Sequence, residues 1–179
     1  MKEASSYIMG EVKETLERID PAVSEAVCEA IVKAKTIFVY GVGRSGLMGK
    51  AFSVRLVQMG LEVHFIGDTT TPIVEKEDLL LVISNTGETM SAVQTANIVG
   101  RIGATVIILT SNQHSKLGRA ARIIVEFQVP RREERSKYAP LGTLFEIASM
   151  VYLDSLVPVL MQRLNQTESS LRKRHAIWV

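Results

Sequence analysis

An α/β fold built on a mostly parallel sheet, covered by helices on both faces, is what this sequence predicts, and three observations predict it. Short runs of β-branched and aromatic residues alternate along the chain with longer stretches of helical apolar spacing. Those runs are continuously apolar rather than alternating, as strands buried on both faces are. Two of them lead straight into turns rich in glycine and hydroxyl residues, GVGRSG at 41–46 and SNTGET at 84–89, and each turn opens a helix.

The elements follow in order. Residues 4–18 place Ile8, Val12 and Leu16 at helical spacing, continued by Ile19. Asp20-Pro21 then reads as the start of a second helix, with aspartate as cap and proline in the first turn, ending near Lys35. TIFVY (36–40) is the first strand, a helix from Leu47 to Met59 follows, and Gly60 leads into the short strand EVHFI (62–66). DLLLVIS (78–84) is the third strand, followed by a helix from Thr89 to Arg101. ATVIILT (104–110), a short helix at Ser115–Arg119 and ARIIVEF (121–127) complete the alternation. Only the link between the second and third strands, which holds Pro72, lacks a helical pattern to fix its crossover. After Pro130 a charge-rich link, RREERSKY, runs into Pro140-Leu141-Gly142 and an apolar helix from Thr143 to Leu164, whose second half is apolar almost all round. Such a surface predicts one edge turned toward another chain. A last helix spans Gln166–Lys173, and no internal repeat is visible.

At 179 residues the chain has room for one domain with a real core, the helices at 4–34 and the helical, basic segment 143–179 belonging to it. Apolar residues make up 46% and charged residues 22%, which excludes a mainly disordered chain. Twenty-one basic and 19 acidic residues leave a formal charge of +2, so composition does not point to nucleic acid or to an acidic membrane surface. The one cysteine, Cys28, has no partner for a disulfide or a thiolate metal site, and its helical apolar neighbours mark it as core. No stretch is read as long and apolar enough to cross a bilayer, and the first 20 residues are too acidic for a secretory signal. The expectation is a cytoplasmic protein.

Function is sought in the two turns, because ligands of open parallel sheets gather at the carboxyl ends of the strands. In the first, glycines let the backbone approach an anion, and the following helix offers unpaired N–H groups and the positive end of its dipole. Gly43 belongs to that turn, while Arg44 and Ser45 add a cation and a hydroxyl. The second turn supplies hydroxyls from Ser84, Thr86 and Thr89, the amide of Asn85, and Gly87 for a tight bend. Such a nest suits a phosphate monoester, and the alternative is that Ser84, Asn85 and Thr86 merely cap the helix. A dinucleotide is disfavoured. The acidic residue expected about 20 positions after the fingerprint, at the end of the second strand, is not matched by Glu62 near its start or Asp68 beyond its end. Neither turn has the form that hydrolyses nucleoside triphosphates.

On these motifs the chain resembles the sugar isomerase (SIS) domain family. SNTGET looks like the phosphate-binding motif of those domains, with Thr86 where many have serine. The wider set GVGRSG, GDTTTP, SNTGET, SKYAPLGTLFE and LRKRH resembles the 6-phospho-3-hexuloisomerases within it, across nearly the whole chain. The resemblance implies a five-stranded parallel sheet, a three-layer flavodoxin- or Rossmann-like architecture, and a homotetramer with active sites near subunit boundaries. It implies interconversion of D-arabino-3-hexulose 6-phosphate and D-fructose 6-phosphate, in the ribulose monophosphate route of formaldehyde fixation, with no metal or organic cofactor; the alternatives are another aldose–ketose sugar-phosphate isomerase or a non-catalytic sugar-phosphate-binding regulator.

Moving a carbonyl from C3 to C2 needs one base that reaches both carbons, and a second group to manage charge on oxygen. Glu146 is the candidate base, an acid among Leu144, Phe145 and Ile147 in a helix's first turn; favouring the positive end of its own helix is its other reading. In the resembling family the matching glutamate of the GTxFE segment is the proposed base. Arg44 is the candidate cation for phosphate or enediolate oxygen. Glu88 would repel the ligand and is expected to face solvent or a cation. Of the three histidines, His64 lies in a strand and His114 in a surface turn. His175 lies in the basic terminus, where Ile177, Trp178 and Val179 should pack somewhere. The resemblance implies that His175 reaches an active site, in a neighbouring subunit. Asp68 and Thr70 are candidates for sugar hydroxyls and Lys137 for the phosphate. RNA contact by the basic terminus has no aromatic stacking platform to support it.

Overall fold

A computed structural model describes residues 1–130 and 132–176. The terminal residues Ile177, Trp178 and Val179, expected to pack, lie outside the described residues. Five parallel strands form one sheet: β1 (Ile37–Gly41), β2 (Val63–Phe65), β3 (Leu79–Ile83), β4 (Thr105–Thr110) and β5 (Ile123–Glu126), in the order β2-β1-β3-β4-β5. Both faces are covered, which is why the strands read as unbroken apolar runs. Alternate side chains still go to opposite sides. Ile37, Val39, Leu79, Leu81, Ile83, Ile107 and Leu109 enter one core, whereas Phe38, Leu80, Val82, Val106 and Ile108 enter the other.

The first core is closed by α1 (Lys2–Glu17), α2 (Pro21–Lys33), α3 (Gly43–Gln58), α7 (Thr143–Arg163) and α8 (Glu168–Lys173). The second is closed by α4 (Met90–Ile102) and α5 (Lys116–Ala120). Asp20 caps α2 as expected, its carboxylate accepting the Ala22 N–H at 2.8 Å with Pro21 in the first turn. That helix stops at Lys33, two residues before the predicted Lys35. Cys28 is buried on it, and desolvation pushes its thiol up from the ordinary range. The segment from β2 to β3 carries no helix; Ile66 and Val74 pack against the second core in place of one.

Two expectations are corrected on the C-terminal side. Within the charge-rich link, Arg135–Tyr138 form a turn of helix, α6. Arg132 ties the link to α1 through Glu11 (2.9 Å) and Glu14 (2.6 Å), and the Tyr138 hydroxyl is 3.1 Å from Glu3. The second correction concerns α7. At 21 residues it does have the length and apolarity of a bilayer-crossing helix. Its apolarity serves the fold instead: Leu144, Phe145, Ala148, Tyr152, Leu153, Leu156 and Leu160 are buried where it packs on α1, α2 and α3. Val151 and Val159 remain exposed on its outer edge.

Candidate functional site

The order β2-β1-β3-β4-β5 reverses direction between β1 and β3, and crevices for ligands open at such a reversal. Gly41 pairs in register with Ile83, so the two strands end level. The turns that follow them are therefore side by side. The glycine-rich turn is tighter than the sequence suggested, because α3 already begins at Gly43 rather than Leu47. Close packing explains this. A Cβ on Gly46 would overlap the Gly41 carbonyl oxygen, and one on Gly41 would lie 2.9 Å from the Gly46 Cα. Helix and strand can meet here only without side chains. Gly43 has φ +59°, a left-handed conformation that glycine adopts freely.

In the second turn Gly87 has φ +66°, and a Cβ there would overlap the Ser115 hydroxyl. The Ser84 and Thr89 hydroxyls lie 3.3 Å apart, and Thr86 Oγ1 accepts the Glu88 N–H at 3.2 Å. None of these side chains caps α4, whose N-cap residue Thr89 makes no side-chain capping bond. The N-cap of α3, Val42, makes none either. Two helix starts, both without side-chain caps, thus flank one hollow of about 150 Å³ lined by Val42, Ser45, Ser84, Asn85, Thr86 and Thr89. That volume is below the roughly 300–1,000 Å³ of pockets that enclose whole ligands, and suits an anionic group with the rest of its molecule outside. Glu88 points away: Lys116 meets it with its backbone N–H (3.0 Å) and its ammonium (3.1 Å). The backbone bond first, and then the side chain, hold the Glu88 carboxyl below its ordinary value.

Glu146 arrives from α7. Its side chain is only 12% exposed, and its carboxylate pairs with Arg44 of α3, whose side chain is 64% exposed. Asn85 and Glu146 both border Gly142, at the start of α7. The β1, β3 and α7 segments therefore bring Arg44, Asn85 and Glu146 to one place. The pair thus joins an exposed guanidinium to a largely enclosed carboxylate.

Other expected residues lie elsewhere. Lys137 is exposed, with its ammonium over the neighbouring Tyr138 ring (4.8 Å), and does not line the hollow. Asp68 is 3.9 Å from Lys50, on the outer side of α3, and Thr70 is exposed in the loop after β2. His175 is exposed next to Arg174, which reaches the Gln58 carbonyl at the C-terminal end of α3. Since 15 residue steps separate Gly43 from Gln58, this anchor stands roughly 22 Å along the helix from Gly43. Within its own chain His175 is not brought to Glu146.

Across the hydroxyl turn a second hollow, about 450 Å³, is lined by Arg18, Asn85, Thr86, Glu88, Ser111, Asn112, Gln128, Val129 and Arg135. Sequence reading missed these apart from the three turn residues. Ser111 and Asn112 directly follow β4 at the carboxyl edge, a position that could have flagged them. Arg18 and Arg135 carry no local signal, because long-range packing of α1 and α6 brings them in. A comparably large hollow at the amino-terminal edge, beside Lys33, Asp78 and Arg122, lies away from both helix starts.

Comparison with known proteins shows the family and the fold. The SIS domain family model matches residues 30–153. A 3-hexulose-6-phosphate isomerase of Methanocaldococcus jannaschii is 38% identical over 154 residues, 84% of this chain and 81% of its own. A protein of the same name from Bacillus subtilis is 30% identical over 173 residues, 94% of each chain. A crystal structure of a Methanococcus jannaschii protein, for which the molecular function of 3-hexulose-6-phosphate isomerase was inferred, has a TM-score of 0.85 at 32% identity and covers 100% of both chains.

Proposed function

The chain belongs to the SIS domain family and is closely related to its 3-hexulose-6-phosphate isomerases, and from that premise we propose that it interconverts D-arabino-3-hexulose 6-phosphate and D-fructose 6-phosphate. At the coarser level it is a sugar-phosphate isomerase. The observation that carries the reading is the level ending of β1 and β3, which sets the two uncapped helix starts beside the Arg44–Glu146 pair. Phosphate occupies the small hollow, where Ser45, Ser84, Thr86 and Thr89 supply hydroxyls and the helix starts supply N–H groups. The carbon chain then runs out toward Glu146.

The reaction moves one proton between neighbouring carbons. Glu146 takes the C2 proton, the electron pair forms the C2–C3 double bond of an enediol, and the C3 oxygen gains charge. Arg44, leaving Glu146 for that oxygen, stabilises the charge. Glu146 returns its proton to C3, the O2 proton passes to O3, and the carbonyl stands at C2. The balance closes without oxidant or reductant. Glu146 is enclosed enough to be shielded from bulk water and open enough to reach a ligand.

His175 acts, in this reading, from a second copy of the chain, since its own Glu146 is at the other end of α3. It would shuttle the oxygen-bound proton. A coupled assay for fructose 6-phosphate, with purified protein and 3-hexulose 6-phosphate, tests the substrate. Glu146→Gln should lower turnover about 10²–10⁴-fold, the span of a positioned acid–base group, and leave phosphate-ester binding intact. Turnover preserved in that variant would remove Glu146 from its role. Tight binding without any turnover by the unaltered protein would make the chain a sugar-phosphate-binding protein instead.

A further inference from the structure

The residue before α7 lacks a side chain for a reason its backbone does not supply. Gly142 has φ −88° and ψ 7°, which other residues can adopt. A Cβ built there would lie 2.9 Å from Glu146 Oε1, 3.4 Å from its Cδ and 3.5 Å from Asn85 Nδ2, and these are its three nearest neighbours. A methyl group at position 142 would therefore press first on the carboxylate itself. We propose that Gly142 is a positioning residue: its missing side chain is the slot through which the Glu146 carboxylate reaches the substrate between α7 and the hydroxyl turn. This rests on the reading of Glu146 as the base.

The corner around the slot is held from several directions. Leu141 has φ +57° while its side chain is 89% exposed, so it accepts a left-handed conformation with little burial in return. Arg135 donates to the Leu141 carbonyl at 2.8 Å, and Thr143 Oγ1 to the Pro140 carbonyl at 2.6 Å. The Glu146 N–H donates to the Gly142 carbonyl at 2.9 Å. Backbone held this firmly cannot swing aside to admit a methyl group, so the mobile carboxylate is what must yield. Local strain kept in place by its surroundings is common where geometry serves chemistry.

A double-mutant cycle tests the slot. In Gly142→Ala, kcat for 3-hexulose 6-phosphate should fall about ten- to a hundredfold, the loss expected for a misplacement near 1 Å, with KM changed by less than about threefold. In a Glu146→Asp background the carboxylate is one methylene shorter and clears the added methyl. There the same alanine should cost less than about threefold, because the two changes act through one contact. An undiminished penalty in both backgrounds, or wild-type kcat in Gly142→Ala, would overturn the proposal. A crystal structure of Gly142→Ala reads the same point without any substrate. A displaced Glu146 carboxylate supports the slot, and an unmoved one sinks it, even if the assigned isomerisation proves wrong.

Discussion

Glu88 and Glu146 stand near the starts of helices at one sheet edge, and their surroundings differ. Lys116 takes Glu88 by backbone and side chain and keeps its charge off the small hollow between the two turns. Glu146 pairs with an exposed arginine and has apolar neighbours on its own helix. The Glu88 carboxyl is held below its ordinary value of 4.5, chiefly by the Lys116 N–H and then by the Lys116 side chain. A lowered folded value means stability present above 4.5 and lost as pH falls through the folded titration. Carboxyl NMR should find that midpoint below the ordinary range. Lys116→Ala should raise it only in part, since the backbone N–H stays; a full return to the ordinary value would show the side chain to be the whole cause.

Elements are positioned here by absent side chains as much as by buried ones. β1 and α3 approach so closely at Gly41 and Gly46 that any Cβ meets backbone, which cannot move aside as a side-chain tip can. Gly43, two residues away from Gly41, has open space around its Cβ position and only its positive φ to resist substitution. Gly46→Ala should therefore lower stability by about 1–3 kcal/mol, as overpacking does. Gly43→Ala should lose about 1–2 kcal/mol at most, the cost of the left-handed conformation alone. Thermal melts of the two variants compare the terms directly. If Gly43→Ala melts well below Gly46→Ala, the strand–helix contact is not what the glycine turn is built around. The missed start of α3 has the same origin: the glycines that weaken a helical pattern in sequence are what let this helix begin against the strand.

At the scale of the molecule, exposed apolar residues gather on three helices. Leu47, Val54 and Val57 lie along α3, Met90, Ile98 and Ile102 along α4, and Val151 and Val159 along α7. Leu47 and Val54 are seven residues apart and share a helix face. The proposed action of His175 from a second copy requires that copies assemble, and these faces are the apolar surface available for it. Sedimentation should give a mass several times the 19.8 kDa of one chain, with four copies as the expected number from the family resemblance. Val54→Lys should shift the protein toward smaller species and reduce turnover with it, because charge in an apolar contact is costly. A strict monomer with full activity would contradict the shared site.

Strand identity, the parallel sheet and the two turns rich in glycine and hydroxyl residues were legible from local pattern, because burial on two faces and glycine at a strand–helix junction leave marks in neighbouring residues. The small deviations had tertiary causes. Lys33 ends α2 early where the chain turns to enter β1, and α6 forms within a charged link that Arg132 ties to α1. The site divided the same way. Ser84, Asn85, Thr86 and Thr89 announce themselves as one segment, whereas Arg135, Gly142 and the pairing of Arg44 with Glu146 join residues as much as 102 positions apart. The sequence by itself determined which chemical groups were present and which strand or helix each would ride on. Only the tertiary structure decided which of them meet, because strand order and helix packing, unlike periodicity, are set by contacts between segments remote along the chain.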